Sequence, residues 1–174
     1  MRRLKRFAIL VLAVALVFAC NVTAQASTSQ GTYPTRKGLI LVTSDWYRGL
    51  IPTGHAAIVY NQNNVIEATA SGVVLGRNNW TNTKRTVWGV KVKGTSASQE
   101  AQAANWAYRQ RGKRYNYNYY NPWSRDKFYC SQLVWAAYYD NFRINMNTAV
   151  FGVAVHPMEL VSTSRTQTVF YFKR

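Results

Sequence analysis

Short apolar runs broken by turn residues fill the middle of this chain, and a helical period replaces them further on. Leu39-Ile40-Leu41-Val42-Thr43 is a continuous apolar run of strand length and reads as a buried strand. His55-Ala56-Ala57-Ile58-Val59 reads as the next strand, followed by the turn chemistry of Asn61-Gln62-Asn63-Asn64. Val65-Ile66-Glu67-Ala68 and Val73-Val74-Leu75 continue the series. Val87-Trp88-Gly89-Val90-Lys91-Val92-Lys93 alternates after its start, as a half-exposed strand does.

The period then changes. Ser96-Ala97-Ser98-Gln99 has the form of a capping box. Ala101, Ala104, Ala107 and Tyr108 follow at helical spacing up to Gly112, which suits a C-terminal stop. Residues 113–127 are rich in Tyr and Asn and read as an ordered loop, and a second helix is expected from near Cys130 to about Asp140. Thr168-Val169-Phe170-Tyr171-Phe172 reads as a last strand. The pattern predicts an α+β domain with a largely antiparallel sheet and two principal helices.

The N-terminal part of the chain differs from this pattern. Met1-Arg2-Arg3-Leu4-Lys5-Arg6 is basic, and Phe7 to Cys20 is an unbroken apolar run, short for the roughly 20 residues of a membrane span. Ala24-Gln25-Ala26 supplies a small-x-small cleavage site, so residues 1–26 are expected to be a signal peptide. A lipoprotein signal acting through Cys20 is the alternative. It is disfavoured because Phe18 stands where a small residue is usual. Residues 27–37 are Ser/Thr-rich with Gly31 and Pro34 and read as a flexible lead-in to a domain spanning 38–174.

The net charge is +16, and the leader carries four of the 22 basic residues and none of the 6 acidic ones, so the mature chain is at +12. Such a chain favours an acidic setting, an anionic wall polymer or a membrane surface. Its basic residues are scattered rather than gathered into an arm, so nucleic acid is not an expected partner. A monomer is expected.

Past the leader, one cysteine remains, Cys130, where a polar loop gives way to an apolar helical run. A lone thiol in an exported chain is either a buried small side chain or a nucleophile. A helix N-terminus, with Arg125 and Lys127 nearby, favours the thiolate. A base is then needed, and the chain has two histidines. His55 begins a predicted strand, and Glu67 lies twelve residues on in the next one. A hairpin centred on Asn61 would set them directly opposite each other, about 5 Å apart at Cβ. There the carboxylate can fix the tautomer that accepts a thiol proton. His156, ahead of Pro157, is the competing base and reads as structural. No metal or cofactor is expected: two distant histidines and one mature cysteine make no metal centre, and no Gly-rich phosphate loop follows a strand. Tyr115, Tyr117, Tyr119, Tyr120 and Trp123 read either as a substrate groove or, slightly favoured, as an ordinary packed loop.

The runs Gly54-His55-Ala56-Ala57-Ile58-Val59, Val65-Ile66-Glu67-Ala68 and Phe128-Tyr129-Cys130-Ser131-Gln132-Leu133-Val134-Trp135 resemble the circularly permuted branch of the NlpC-type papain-like cysteine hydrolases. This is the YiiX/YebB-like branch, related to lecithin:retinol acyltransferase. Gln110 to Asn116 and Val155-His156-Pro157 are similar to it too, so the resemblance runs from about residue 38 to the C-terminus. Relatives often carry Gly-Asp where this chain has Gly38-Leu39. The resemblance implies a permuted papain-like fold with Cys130 as nucleophile, His55 as general base and Glu67 as the residue that orients it. It also implies an amide bond in cell-wall peptide, or an acyl ester of a lipid, as the substrate. The rival reading is a catalytically silent basic module that binds wall or lipid.

Overall fold

The computed structural model describes residues 27–45 and 54–174. The expected signal peptide at residues 1–26, Cys20 included, lies outside the described residues. Seven strands form one antiparallel sheet: β1 (Thr28–Gly31), β2 (Ile40–Thr43), β3 (His55–Val59), β4 (Asn64–Thr69), β5 (Gly72–Arg77), β6 (Thr86–Val92) and β9 (Thr166–Lys173). Their spatial order is β1-β9-β6-β2-β3-β4-β5. A small parallel ribbon pairs β7 (Arg114–Tyr115) with β8 (Lys127–Phe128). The helices are α1 (Trp80–Thr83), α2 (Ala97–Arg109), α3 (Cys130–Phe142) and α4 (Glu159–Ser162).

Alternation along the strands sends side chains to two faces. Ile40, Val42, Ala56, Ile58, Ile66 and Ala68 pack under α2 and α3 in the main core. Leu39, Leu41, Ala57, Val59 and Val65 point the other way and meet Trp80, Val87, Phe170 and Phe172. The central strand β2 is therefore buried on both faces, which is why it reads as a continuous apolar run rather than an alternating one. A bulge between Gly89 and Val90 shifts the alternation within β6.

Helix α2 opens with the expected capping box: Ser96 Oγ accepts from Gln99 N, and Gln99 Oε1 accepts from Ser96 N. Its buried stripe is Glu100, Ala103, Ala104 and Ala107, so Ala101 sits at the edge of the inward face. Helix α3 is buried at every position from Cys130 to Tyr138, because it lies between the sheet, α2 and the loops before and after it.

Two expectations need correction. Thr28–Gly31, read as part of a flexible lead-in, form strand β1 against β9. All four residues are exposed, so the pairing is made by backbone and leaves no apolar pattern in the sequence. A Cβ on Gly31 would lie 2.1 Å from the carbonyl oxygen of Val169, so this close approach requires glycine. The hairpin β3–β4 is centred on Gln62, not Asn61: Val59 faces Val65, and Ala57 faces Glu67. The Asn61 side chain accepts from the backbone N–H groups of Asn63 and Asn64 and sets this turn. Moving the centre by one residue moves each partner by two. His55 and Glu67 therefore stay on one face but sit diagonally.

The segment ahead of β2 is tied to the core by charge. Glu100 is fully buried, and its Oε2 meets only the Arg36 guanidinium, 2.5 Å away but off the line of a directed hydrogen bond. Its Oε1 accepts from Thr95 Oγ1. Arg36→Ala leaves that carboxylate without its cation. Because Arg36 is itself half in solvent, the expected loss is about 2–3 kcal/mol, below the range for a fully buried pair. Urea unfolding of the variant checks it through a lower midpoint at unchanged slope.

Candidate active site

Cys130 is the first residue of α3 and is nearly buried. The helix start is fixed by Gln132, fully buried three residues past the cap. Its Oε1 accepts from Tyr129 N and from Asn116 Nδ2, and its Nε2 donates to the carbonyls of Pro122 and Ser124. One amide side chain thus sets the helix cap and holds the 116–124 loop beside it. The residues flanking Cys130 grip a second segment: Ser131 Oγ donates to the Val155 carbonyl, and Tyr129 Oη accepts from Val155 N. The thiol is thus positioned from both sides.

His55 starts β3, opposite Thr43 on β2. Gly54 precedes it at φ +68°, and a Cβ there would lie 2.4 Å from the Thr43 carbonyl oxygen. The His55 Nε2 is 2.6 Å from Glu67 Oε2. A carboxylate only accepts, so Nε2 carries the hydrogen and Nδ1 is left for the thiol. Trp80 stacks on the imidazole at 5.5 Å between ring centres and 24° between planes.

The two groups shift each other. Burial by itself pushes the Cys130 thiol up. The charge of His55 and its hydrogen bond, with backbone N–H groups of Ala56 and Ser131, outweigh that and bring it below the ordinary thiol value. Burial likewise disfavours the imidazolium, but the Cys130 thiolate, by charge and hydrogen bond, and then Glu67 raise His55 to about 9. Near neutral pH the arrangement therefore favours a thiolate–imidazolium pair, which combines a nucleophile with a proton donor.

All three residues singled out in the sequence, Cys130, His55 and Glu67, come together. His156 has other contacts: it stacks on Phe151 at 4.1 Å, its Nδ1 accepts from Met158 N, and its own N–H donates to Glu159. In the Tyr/Asn loop Asn116 is buried, Tyr119 packs on Tyr129 and Trp123 on Trp135 and Tyr139, while Tyr117 and Tyr120 are largely exposed.

Trp80 and Gly76 were not visible as site residues. Gly76 lies on β5 beside the Glu67 carboxylate, and a Cβ there would come within 1.8 Å of Glu67 Oε1. Gly76→Ala must therefore displace the carboxylate from His55. The expected result is a drop of about tenfold or more in Cys130 alkylation by iodoacetamide at about pH 6, where the thiolate depends on a charged His55. Labelling quantified on the Cys130 peptide checks this.

A thiol opening a buried helix, set against an antiparallel sheet that carries a histidine–carboxylate pair earlier in the chain, defines the papain-like class in permuted order. The model of a permuted papain-like amidase family, described as YaeF/YiiX, C92, matches residues 48–164, and the chain belongs to that family. The crystal structure of metalloprotein yiiX from Escherichia coli O157:H7 superposes with a TM-score of 0.61 at 19% identity, over 78% of this chain and 96% of that one. At that identity the likeness concerns the fold. No curated protein matches the sequence. That neighbour is described as a metalloprotein, but among the described residues here no three His, Cys, Asp or Glu side chains converge.

Proposed function

We infer that the protein is an exported cysteine hydrolase that opens an amide or acyl-ester bond through a thioester on Cys130. The observation that carries this reading is the His55 ring held between the Glu67 carboxylate and the Cys130 thiol. The sulfur attacks the substrate carbonyl carbon, and the carbon–nitrogen or carbon–oxygen bond breaks. The imidazolium gives its proton to the leaving amine or alcohol. Water then attacks the thioester, His55 takes the water's proton, and the acid product leaves with the thiolate restored. Backbone N–H groups in the first turn of α3 are suited to steady the tetrahedral oxyanion. Glu67 holds the ring in register and stabilises its charged form.

The substrate proposed is a cell-wall peptide or an acyl lipid, and closer kinship to the NlpC-type and lecithin:retinol acyltransferase-like proteins belongs to the same proposal. The amidase description of the family supports the amide. Export rests on the basic, apolar and small-residue order of residues 1–26. No described helix is long and apolar enough to cross a membrane. A screen of wall peptides and acyl lipids with full-length protein tests the reading, with Cys130→Ala as its control. Binding that survives iodoacetamide, with no turnover of either panel, would favour a silent binding module instead.

A further inference from the structure

An open depression of about 410 Å³ lies between the β4–β5 turn, at Ala70, Ser71 and Gly72, and the β7–β8 ribbon, at Arg114, Tyr115 and Lys127. It adjoins the proposed site from both sides. β4 ends at Thr69, two residues past Glu67, and β8 ends at Phe128, two residues before Cys130. Burial pushes the Tyr115 hydroxyl up and holds it protonated, and the Cys130 thiolate, near enough to act on it, pushes the same way. A Cβ on Gly72 would lie 2.4 Å from the Lys113 carbonyl oxygen, so glycine lets the turn close against the ribbon.

Arg114 and Lys127 are direct partners in the ribbon, so their side chains leave it on the same face. Like charges set opposite each other repel. Among the described residues neither cation forms an ion pair. Glu67 binds His55, Glu100 binds Arg36, and Asp140 binds Arg125. Asp45 accepts from the backbone of Arg85 and Thr86, and Glu159 is taken up by Thr148, Val150 and His156. Asp126, the sixth acid, makes no ion pair with either cation. A pair of cations facing one depression, neither held in an ion pair, is suited to an anion brought by the ligand.

We propose that this depression is an anion subsite, in which Arg114 and Lys127 hold a carboxylate or phosphate of the substrate while its carbonyl lies at Cys130. The placement beside the thiol rests on the function proposed above; the anion site itself does not. Tyr115 and Tyr117, tilted together at 4.8 Å, form its wall. The substrate class is thereby narrowed to amides or esters with a negative group a few bonds from the scissile carbonyl.

Calorimetry at low salt on full-length Cys130→Ser protein tests the subsite without the thiol. The probes are N-acetylglutamate, glycerol 1-phosphate and, as a neutral control, glutaramide. One or both anions should bind and the diamide should not. Tighter carboxylate binding assigns a peptide-like substrate, and tighter phosphate binding a lipid headgroup. Arg114→Gln/Lys127→Gln should weaken the anion at least about tenfold, as expected for losing charge-assisted hydrogen bonds. Lys93→Gln/Lys173→Gln, exposed on the β6–β9 side of the sheet, should not. Equal affinity in the first pair of variants and the parent, equal weakening in the control pair, or no anion binding would each overturn the proposal. In protein retaining Cys130, the bound anion should also slow iodoacetamide labelling at that residue; binding without slowing would overturn the placement beside the thiol. A thiol that fails to label at all contradicts the hydrolase reading and leaves the calorimetric result standing.

Discussion

Cys130→Ala is expected to reduce hydrolysis by about 10⁴-fold or more, below detection in most assays, while the fold persists. The size of the effect follows from the chemistry. Without the sulfur no thioester forms, and His55 and the first turn of α3 can only assist water. The structural cost is small by comparison: Cys130 is one small side chain at a helix start fixed by Gln132, Ser131 and Tyr129. Kinetics on the substrate found in the screen, with thermal unfolding alongside, separate the two. A variant that unfolds near the parent temperature yet has lost turnover is the expected result.

His55→Ala is expected to cost about 10²- to 10⁴-fold in kcat/KM, the usual range for one general acid–base group. It should also change how the reaction responds to pH. In the parent, the thiol titrates below its ordinary value and His55 at about 9. Turnover should therefore rise on the acid side as the thiol ionises, and fall on the alkaline side as the imidazolium loses its proton through about 9. Alkylation of the sulfur needs only the thiolate, so it should rise through the first step and not fall at the second. Glu67→Gln removes a charge that favours the imidazolium, so the alkaline limb should move to lower pH. His156→Ala, by contrast, removes a ring stacked on Phe151 and should keep most activity.

The meeting of Cys130, His55 and Glu67 was legible because such residues are scarce in this chain. One thiol past the expected leader and two histidines leave few combinations, and an even separation across a short turn keeps His55 and Glu67 on one face whichever residue centres the hairpin. The main elements were legible for a related reason. β2 is buried on both faces and reads as an unbroken apolar run, α3 carries such a run from Leu133 to Tyr139, and α2 announces itself by its capping box.

What escaped depends on contacts between elements. α1 is four residues long, too short to show a period, yet it carries the Trp80 ring that covers His55. Gly76 looks like any strand glycine until the Glu67 carboxylate is seen occupying the space of its missing side chain. Strand β1 pairs through its backbone alone. The burial of Gln132 was equally silent, since its four hydrogen-bond partners lie in the loop and cap around it.

The thiolate–imidazolium pair is tested most simply by the pH dependence of Cys130 alkylation in parent and His55→Ala protein, read on the Cys130 peptide. A thiolate held by a charged His55 should give the parent a midpoint clearly below the ordinary thiol value of about 8.5. In the variant, burial is opposed only by the Ala56 and Ser131 N–H groups, so the midpoint should climb by at least about one unit. A parent midpoint at or above the ordinary thiol value, unmoved by His55→Ala, would rule out the charged pair and leave Cys130 a buried small side chain at a helix end.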